Sequence, residues 1–148
     1  MCDAILNFSD EGHGDPLLIL HGLFGSSLNW KSLARELAQR FRVIRVDLRN
    51  HGESFHDSRM DYSVMAQDVM AVMTHLGLES ARVLGHSMGG KVAMKLVHRY
   101  PACVQQLIVA DIAPVAYRHE YDGILAALSA LDLSSISRRA EAEEQGLA

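Results

Sequence analysis

The feature that most narrows what this chain folds into is the pentapeptide Gly85-His86-Ser87-Met88-Gly89, a G-x-S-x-G pattern, together with its setting. Before it runs Ala81-Arg82-Val83-Leu84, short and apolar enough for a buried strand. After it, Gly90 to Tyr100 has helical spacing and stops at Pro101. A strand, a sharp turn and a helix in that order give the pattern a mechanical meaning. So tight a turn forces its central residue out of ordinary dihedrals. Its neighbours must then be small, and Gly85 and Gly89 remove the Cβ atoms that would clash. The Ser87 hydroxyl is then expected to project from the sheet edge at a helix N-terminus. Free N–H groups and the helix dipole favour developing negative charge there.

A length of 148 residues suits one domain with a substantial core. Hydrophobic residues make up 49% and charged ones 22%, which places the chain among globular proteins and apart from disordered ones. The net charge is −4 with both signs interspersed. Without a basic stripe no nucleic-acid partner is expected, and no apolar run is long enough to predict a membrane span. Met1 to Leu6 lacks the basic and long apolar regions of a signal peptide. Cys2 and Cys103 have neither metal-ligand spacing nor a disulfide framework, so a reduced, cytoplasmic setting is expected. No GxGxxG or P-loop pattern occurs.

Along the chain, Ala4 to Phe8 alternates weakly and predicts a first strand; polar, Gly-rich Ser9 to Asp15 predicts a turn. Leu17-Leu18-Ile19-Leu20 is a continuous apolar run, as a central parallel strand requires. It leads into the loop His21 to Ser27. A helix is predicted over about Trp30 to Gln39, with Trp30, Leu33, Ala34 and Leu37 on one face. Val43 to Val46 reads as the next strand and Asp47 to Ser54 as a polar loop. Ser63 is the expected N-cap of a helix carrying Met65, Ala66, Val69, Met73 and Leu76 and closed by Gly77. Leu107 to Ala110 reads as a buried strand, and helices are predicted over Ile124 to Leu131 and Ser135 to Gln145. Strands alternating with helices imply a mostly parallel sheet wound by right-handed crossovers, with helices on both faces. His21, Asp47, Ser87 and Asp111 each follow a strand directly, so they should gather along its carboxyl edge.

At this point the chain resembles the α/β-hydrolase superfamily. Within it, the chain is similar to the small bacterial esterases of the YbfF type. The motifs that carry the resemblance are His21-Gly22-Leu23-Phe24-Gly25-Ser26, Asp47-Leu48-Arg49-Asn50-His51-Gly52-Glu53-Ser54, Gly85 to Lys91, and Asp111-Ile112-Ala113-Pro114-Val115. The resemblance reaches from the first strand to about residue 120. It implies the α/β-hydrolase fold and hydrolysis of a small acyl ester or thioester, without metal or organic cofactor.

Ser87 is the candidate nucleophile, and its hydroxyl needs a base to take its proton. The tetrahedral oxyanion formed on the way to an acyl-serine needs two N–H donors. By the elbow geometry one belongs to Met88. In similar hydrolases the second follows His-Gly, here Leu23, with Phe24 as runner-up. His21, Gly22 and Phe24 are expected to line the substrate site. Asp111 is the candidate acid that orients the base, and a cap at a strand end is the alternative reading of it. His51 and Asp47 read as loop-holding residues, His86 as packed or hydrogen-bonded, Lys91 as solvated or packing. Met65, Met70, Met73, Met88 and Met94 read as core or pocket lining.

A catalytic histidine is missing from this pattern. His98 lies late in the elbow helix, and His119 sits in charged Arg118-His119-Glu120. The resemblance places the base in a later segment. The expectation is therefore an N-terminal fragment, inactive or very weak alone, in which residues 1–118 form part of the core and 119–148 begin a helical lid. The C-terminal strands and the segment carrying the catalytic histidine would be absent. The strand ending at Ala110 would then be an apolar sheet edge inviting self-association. A non-catalytic binding module of the same fold is the competing reading. Within enzymes, acyl transfer, C–C hydrolysis and cofactor-free peroxidation compete; haloalkane-type chemistry would want an acid at position 87.

Overall fold

The computed structural model describes residues 4–116, 122–132, 134–138 and 140–141. The chain divides into two compact units between Pro114 and Val115. The first holds a five-stranded sheet: β1 (Phe8–Gly12), β2 (Asp15–Leu20), β3 (Phe41–Val46), β4 (Ala81–His86) and β5 (Val104–Ala110). Its helices are α1 (Lys31–Leu37), preceded by a 3-10 turn over Ser27–Trp30, α2 (Tyr62–His75) and α3 (Met88–Arg99). In the second unit α4 spans Asp122–Ala130. The strand order is β1-β3-β2-β4-β5. Only β1 runs antiparallel to its neighbour.

The alternation along β2 and β3 sorts the core into two layers. Leu18, Leu20, Ile44, Val46 and Val83 pack against α2 and α3 residues such as Met65, Val69, Met73, Val92 and Leu96. Leu17, Ile19 and Val43 face the other way, onto Ala34 of α1 with Trp30 and Leu37. Strands buried on both faces are why β2 reads as an unbroken apolar run. The crossover from β2 departs toward β3, and that from β4 departs toward β5. A crevice therefore opens where the carboxyl ends of β2 and β4 lie side by side, the place where such sheets bind ligands.

Several boundaries differ from the sequence reading. The first strand is Phe8–Gly12, and Ala4 to Asn7 lies outside it. Polar Ser9, Asp10 and Glu11 are tolerated in this edge strand because β3 supplies cations: Asp10 pairs with Arg42 at 2.6 Å and Glu11 with Arg45 at 3.0 Å. Leu33 departs from the expected buried face of α1, with 41% of it exposed. The N-cap of α2 is Asp61, whose carboxylate accepts from the N–H groups of Ser63 at 2.9 Å and Val64 at 3.0 Å, so Ser63 lies inside the helix. α3 begins at Met88, directly after the serine. Of the segment expected to form a helix from Ser135, residues 140–141 are helical, the Ser135 N–H closes a turn on the Asp132 carbonyl at 3.1 Å, and residues 139 and 142–145 lie outside the described residues.

Candidate active site

Ser87 sits at φ 50° and ψ −115°, between the last residue of β4 and the first of α3. A positive φ in a residue with a Cβ is strained and persists only where the surroundings enforce it. The enforcement is visible. The Ser87 N–H donates to the Ala110 carbonyl at the end of β5, 3.0 Å away. A Cβ on Gly85 would collide with the backbone of Gly89, and one on Gly89 with the carbonyls of Leu20 and His21. The elbow is thus pressed against the end of β2. A Cβ on Gly22 would lie 3.3 Å from that of Ser87, which sets the His21-Gly22 loop beside the serine.

Met88 occupies the first position of α3, where a backbone N–H has no intrahelical acceptor. The Gly25 N–H closes a turn on the Gly22 carbonyl at 3.1 Å, with Leu23 and Phe24 at its centre. Phe24 takes φ 60° there. Its N–H donates to His51 Nε2 at 3.3 Å. The Leu23 N–H has no such partner among the described residues.

Two polar loops hold this turn. His21 is buried, its Nε2 accepts from the Leu48 N–H at 3.0 Å, and its Nδ1 lies 2.8 Å from the Gly22 carbonyl. An accepting Nε2 puts the proton on Nδ1, which donates to that carbonyl. Burial lowers the His21 pKa, with the nearby His51 adding to the effect; the Gly22 carbonyl and Asp47 oppose it. His51 repeats the arrangement, with Nδ1 2.9 Å from the Arg49 carbonyl. Asp47 is buried too, which raises its pKa. The N–H groups of Ser27 at 2.6 Å and Glu53 at 3.1 Å and the Asn7 amide at 2.8 Å outweigh burial, and the carboxyl stays below its usual range. The loop-holding reading of Asp47 and His51 matches these bonds.

Asp111 directly follows β5 with φ 56° and is largely exposed, its carboxylate 3.6 Å from His86 Nε2. The next residues are fixed to the elbow helix. Ile112 packs against Gly90, and Lys91 Nζ donates to the Ala113 carbonyl at 2.7 Å. The register pairs Leu20 with both Val46 and Gly85, and His86 with Ala110. His21, Asp47, Ser87 and Asp111 therefore share one edge, as expected. Among the described residues no histidine bonds the Ser87 hydroxyl. His98 is exposed in the last turn of α3, and His119 lies outside the described residues. Nor do three or more His, Cys, Asp or Glu side chains among the described residues cluster as metal ligands.

A cleft of about 580 Å³ opens beside the turn, lined by Leu23, Phe24, Trp30, Leu33 and His86. A second, of about 400 Å³, lies between the same turn and Asn50, His51 and Met60. Leu23, Phe24 and Gly25 line both clefts. Trp30, Leu33 and His86 were missed by the sequence reading as lining residues. The available signal was an aromatic and a leucine three apart, one helical turn, directly after the His-Gly loop.

The α/β hydrolase fold family matches residues 15–133. The chain is 39% identical over 134 residues to esterase YbfF of Escherichia coli, covering 90% of this chain and 53% of that protein. It is 48% identical over 101 residues to the mouse (Mus musculus) sn-1-specific diacylglycerol lipase ABHD11, covering 67% of this chain and 33% of that one. Among solved structures, a marine microorganism esterase superposes with a TM-score of 0.90 at 44% identity, covering 97% of this chain and 57% of the other. The chain thus spans about half the length, or less, of the curated relatives it matches here. The sheet order, the strained serine between β4 and α3, and these matches together make the chain a member of the α/β-hydrolase fold family.

Proposed function

We propose that this chain carries the nucleophile half of a serine hydrolase acting on small acyl esters or thioesters. The observation that carries the reading is the backbone of Ser87, held at φ 50° at the N-terminus of α3 with Gly22 against it. Ser87 Oγ attacks the acyl carbonyl carbon as its proton passes to a base, which we assign to a histidine outside the described residues. The carbonyl π electrons move to oxygen. The N–H groups of Met88 and Leu23 are assigned to that oxyanion, and removal of one such donor costs about 100- to 1000-fold in rate. Collapse of the intermediate expels the alcohol or thiol, protonated by the same base, and leaves acyl-Ser87. Water then repeats the sequence in reverse. Asp111 is assigned to orient the base, from a strand end that Lys91 and Gly90 hold beside the elbow. The cleft lined by Leu23, Phe24, Trp30 and Leu33 suits an apolar acyl group. The names of the esterase and lipase relatives support the same reaction class.

The test is reaction of the chain with a fluorophosphonate probe, read by intact mass, with Ser87→Ala as control. One adduct that disappears in the variant is the expected result. An adduct that persists in Ser87→Ala overturns the reading; none on a chain shown by circular dichroism to be folded agrees with the assignment of the base to a histidine outside the described residues.

A further inference from the structure

The bonds between the two polar loops are reciprocal. His21, from the loop after β2, accepts the Leu48 N–H of the loop after β3. His51, from the loop after β3, accepts the Phe24 N–H of the loop after β2. The two rings lie against one another, 5.1 Å between centroids. Each loop thus supplies one imidazole acceptor and one backbone donor. The outcome falls on one short turn. Of its two central N–H groups, that of Phe24 is tied to His51, and that of Leu23 has no partner among the described residues. Phe24 also sits at φ 60°, a conformation a phenylalanine does not keep unaided. Both His51 nitrogens are engaged, one by Phe24 and one by the Arg49 carbonyl, so neither is available to the Ser87 hydroxyl.

We infer that His51 is a positioning residue for the oxyanion site: its acceptor nitrogen holds the Gly22–Gly25 turn in the one conformation that leaves the Leu23 N–H for the substrate oxygen. The inference rests on the serine-hydrolase reading above for its chemistry, and on the hydrogen bonds between the two loops for its structure. Without the acceptor, Phe24 relaxes from positive φ, and the peptide groups on either side of it rotate. The Leu23 donor, in the peptide before them, shifts as the turn closed by the Gly25–Gly22 bond re-forms. A displacement of about 1 Å in such a group is enough for about a 100-fold loss of rate.

The experiment uses the full chain with His51→Phe, which keeps a ring and removes the acceptor, and His51→Gln, whose amide oxygen restores one. Amide hydrogen exchange should be on the order of tenfold faster at Phe24 in His51→Phe, the worth of one hydrogen bond. Fluorophosphonate labelling of Ser87 should slow by about 100-fold in its first-order step, with the reversible binding constant unchanged. Both should recover in His51→Gln. A purely structural role would lower the melting temperature without this split or this rescue. Unchanged exchange at Phe24 in His51→Phe overturns the inference, and so does faster exchange with unaltered labelling. If the wild-type chain is not labelled at all, the base that activates Ser87 is not in place, and exchange at Leu23 and Phe24 still decides what His51 holds. Should His51→Phe not fold, nitrogen NMR of the wild type decides: an Nε2–H tautomer of His51 would overturn the inference, and an Nδ1–H tautomer coupled to the Phe24 amide is expected.

Discussion

Ser87 and His21 show how single residues in this site are set by what surrounds them. Ser87 is strained because β5, Gly89 and the end of β2 leave its backbone no alternative. His21 is neutral because burial opposes its charge and its Nε2 must accept from Leu48. The folded-state pKa of His21 lies below its ordinary value of 6.5. The unfolded chain therefore binds the proton first as pH falls. The stability contributed by neutral His21 is full above 6.5 and is lost as pH drops through the interval down to the folded value. Replacing His21 with Gln should remove up to about 1.4 kcal/mol per pH unit from the slope in that interval. Urea unfolding at a series of pH values below 7 measures it, and an unchanged slope would show that His21 is protonated equally in both states. The serine pattern was legible because its glycines and flanking periodicity are local. The acceptor roles of His21 and His51 were not, since each depends on a backbone N–H in a different loop, 27 residues away in both cases.

At the scale of elements, the long segment between β3 and α2 is held by Arg49. Its guanidinium, nearly buried, binds both Asp68 oxygens on α2 at 2.5 and 2.7 Å and the Arg59 carbonyl at 2.7 Å. It also lies over the Phe55 ring, 5.4 Å from its centre. Removing one partner of such a buried pair leaves the other charge unpaired, so Arg49→Met should cost about 3 kcal/mol. Chemical denaturation would show this as a lower midpoint at unchanged slope, and a midpoint like that of the wild type would mean solvent already screens the pair. The helices and parallel strands were readable because their apolar period is local. β1 was displaced because its polar residues acquire partners, Arg42 and Arg45, only when β3 lies beside it. The cap of α2 fell on Asp61 in place of Ser63, two residues earlier, since either residue type caps a helix and only the backbone settles which does.

For the whole molecule, the sheet has two unlike edges. β1 is shielded by charged pairs with β3, whereas β5 pairs only with β4 among the described residues and carries Ile108 with 42% of its surface exposed. An apolar edge strand offers its open ladder to another strand. Light scattering should find concentration-dependent association of this chain, reduced by Ile108→Lys; a single monomeric species at all concentrations would remove the proposal. The mostly parallel sheet and the edge that carries the site were legible in outline, because crossover handedness and strand ends follow general rules; the order of the strands, set by contacts far apart in the chain, was not. The lining of the clefts was less legible, since His86 of β4 meets Trp30 and Leu33 there from a distant part of the chain. The two histidine-linked loops bear on how this fold can be re-engineered. Residues 21–25 and 47–54 behave as lock and key cut from one piece, so a chimaera that imports either loop from another hydrolase keeps the backbone donors but loses the register that sets each ring against its donor. Loop grafting in this protein should succeed only when both segments travel together.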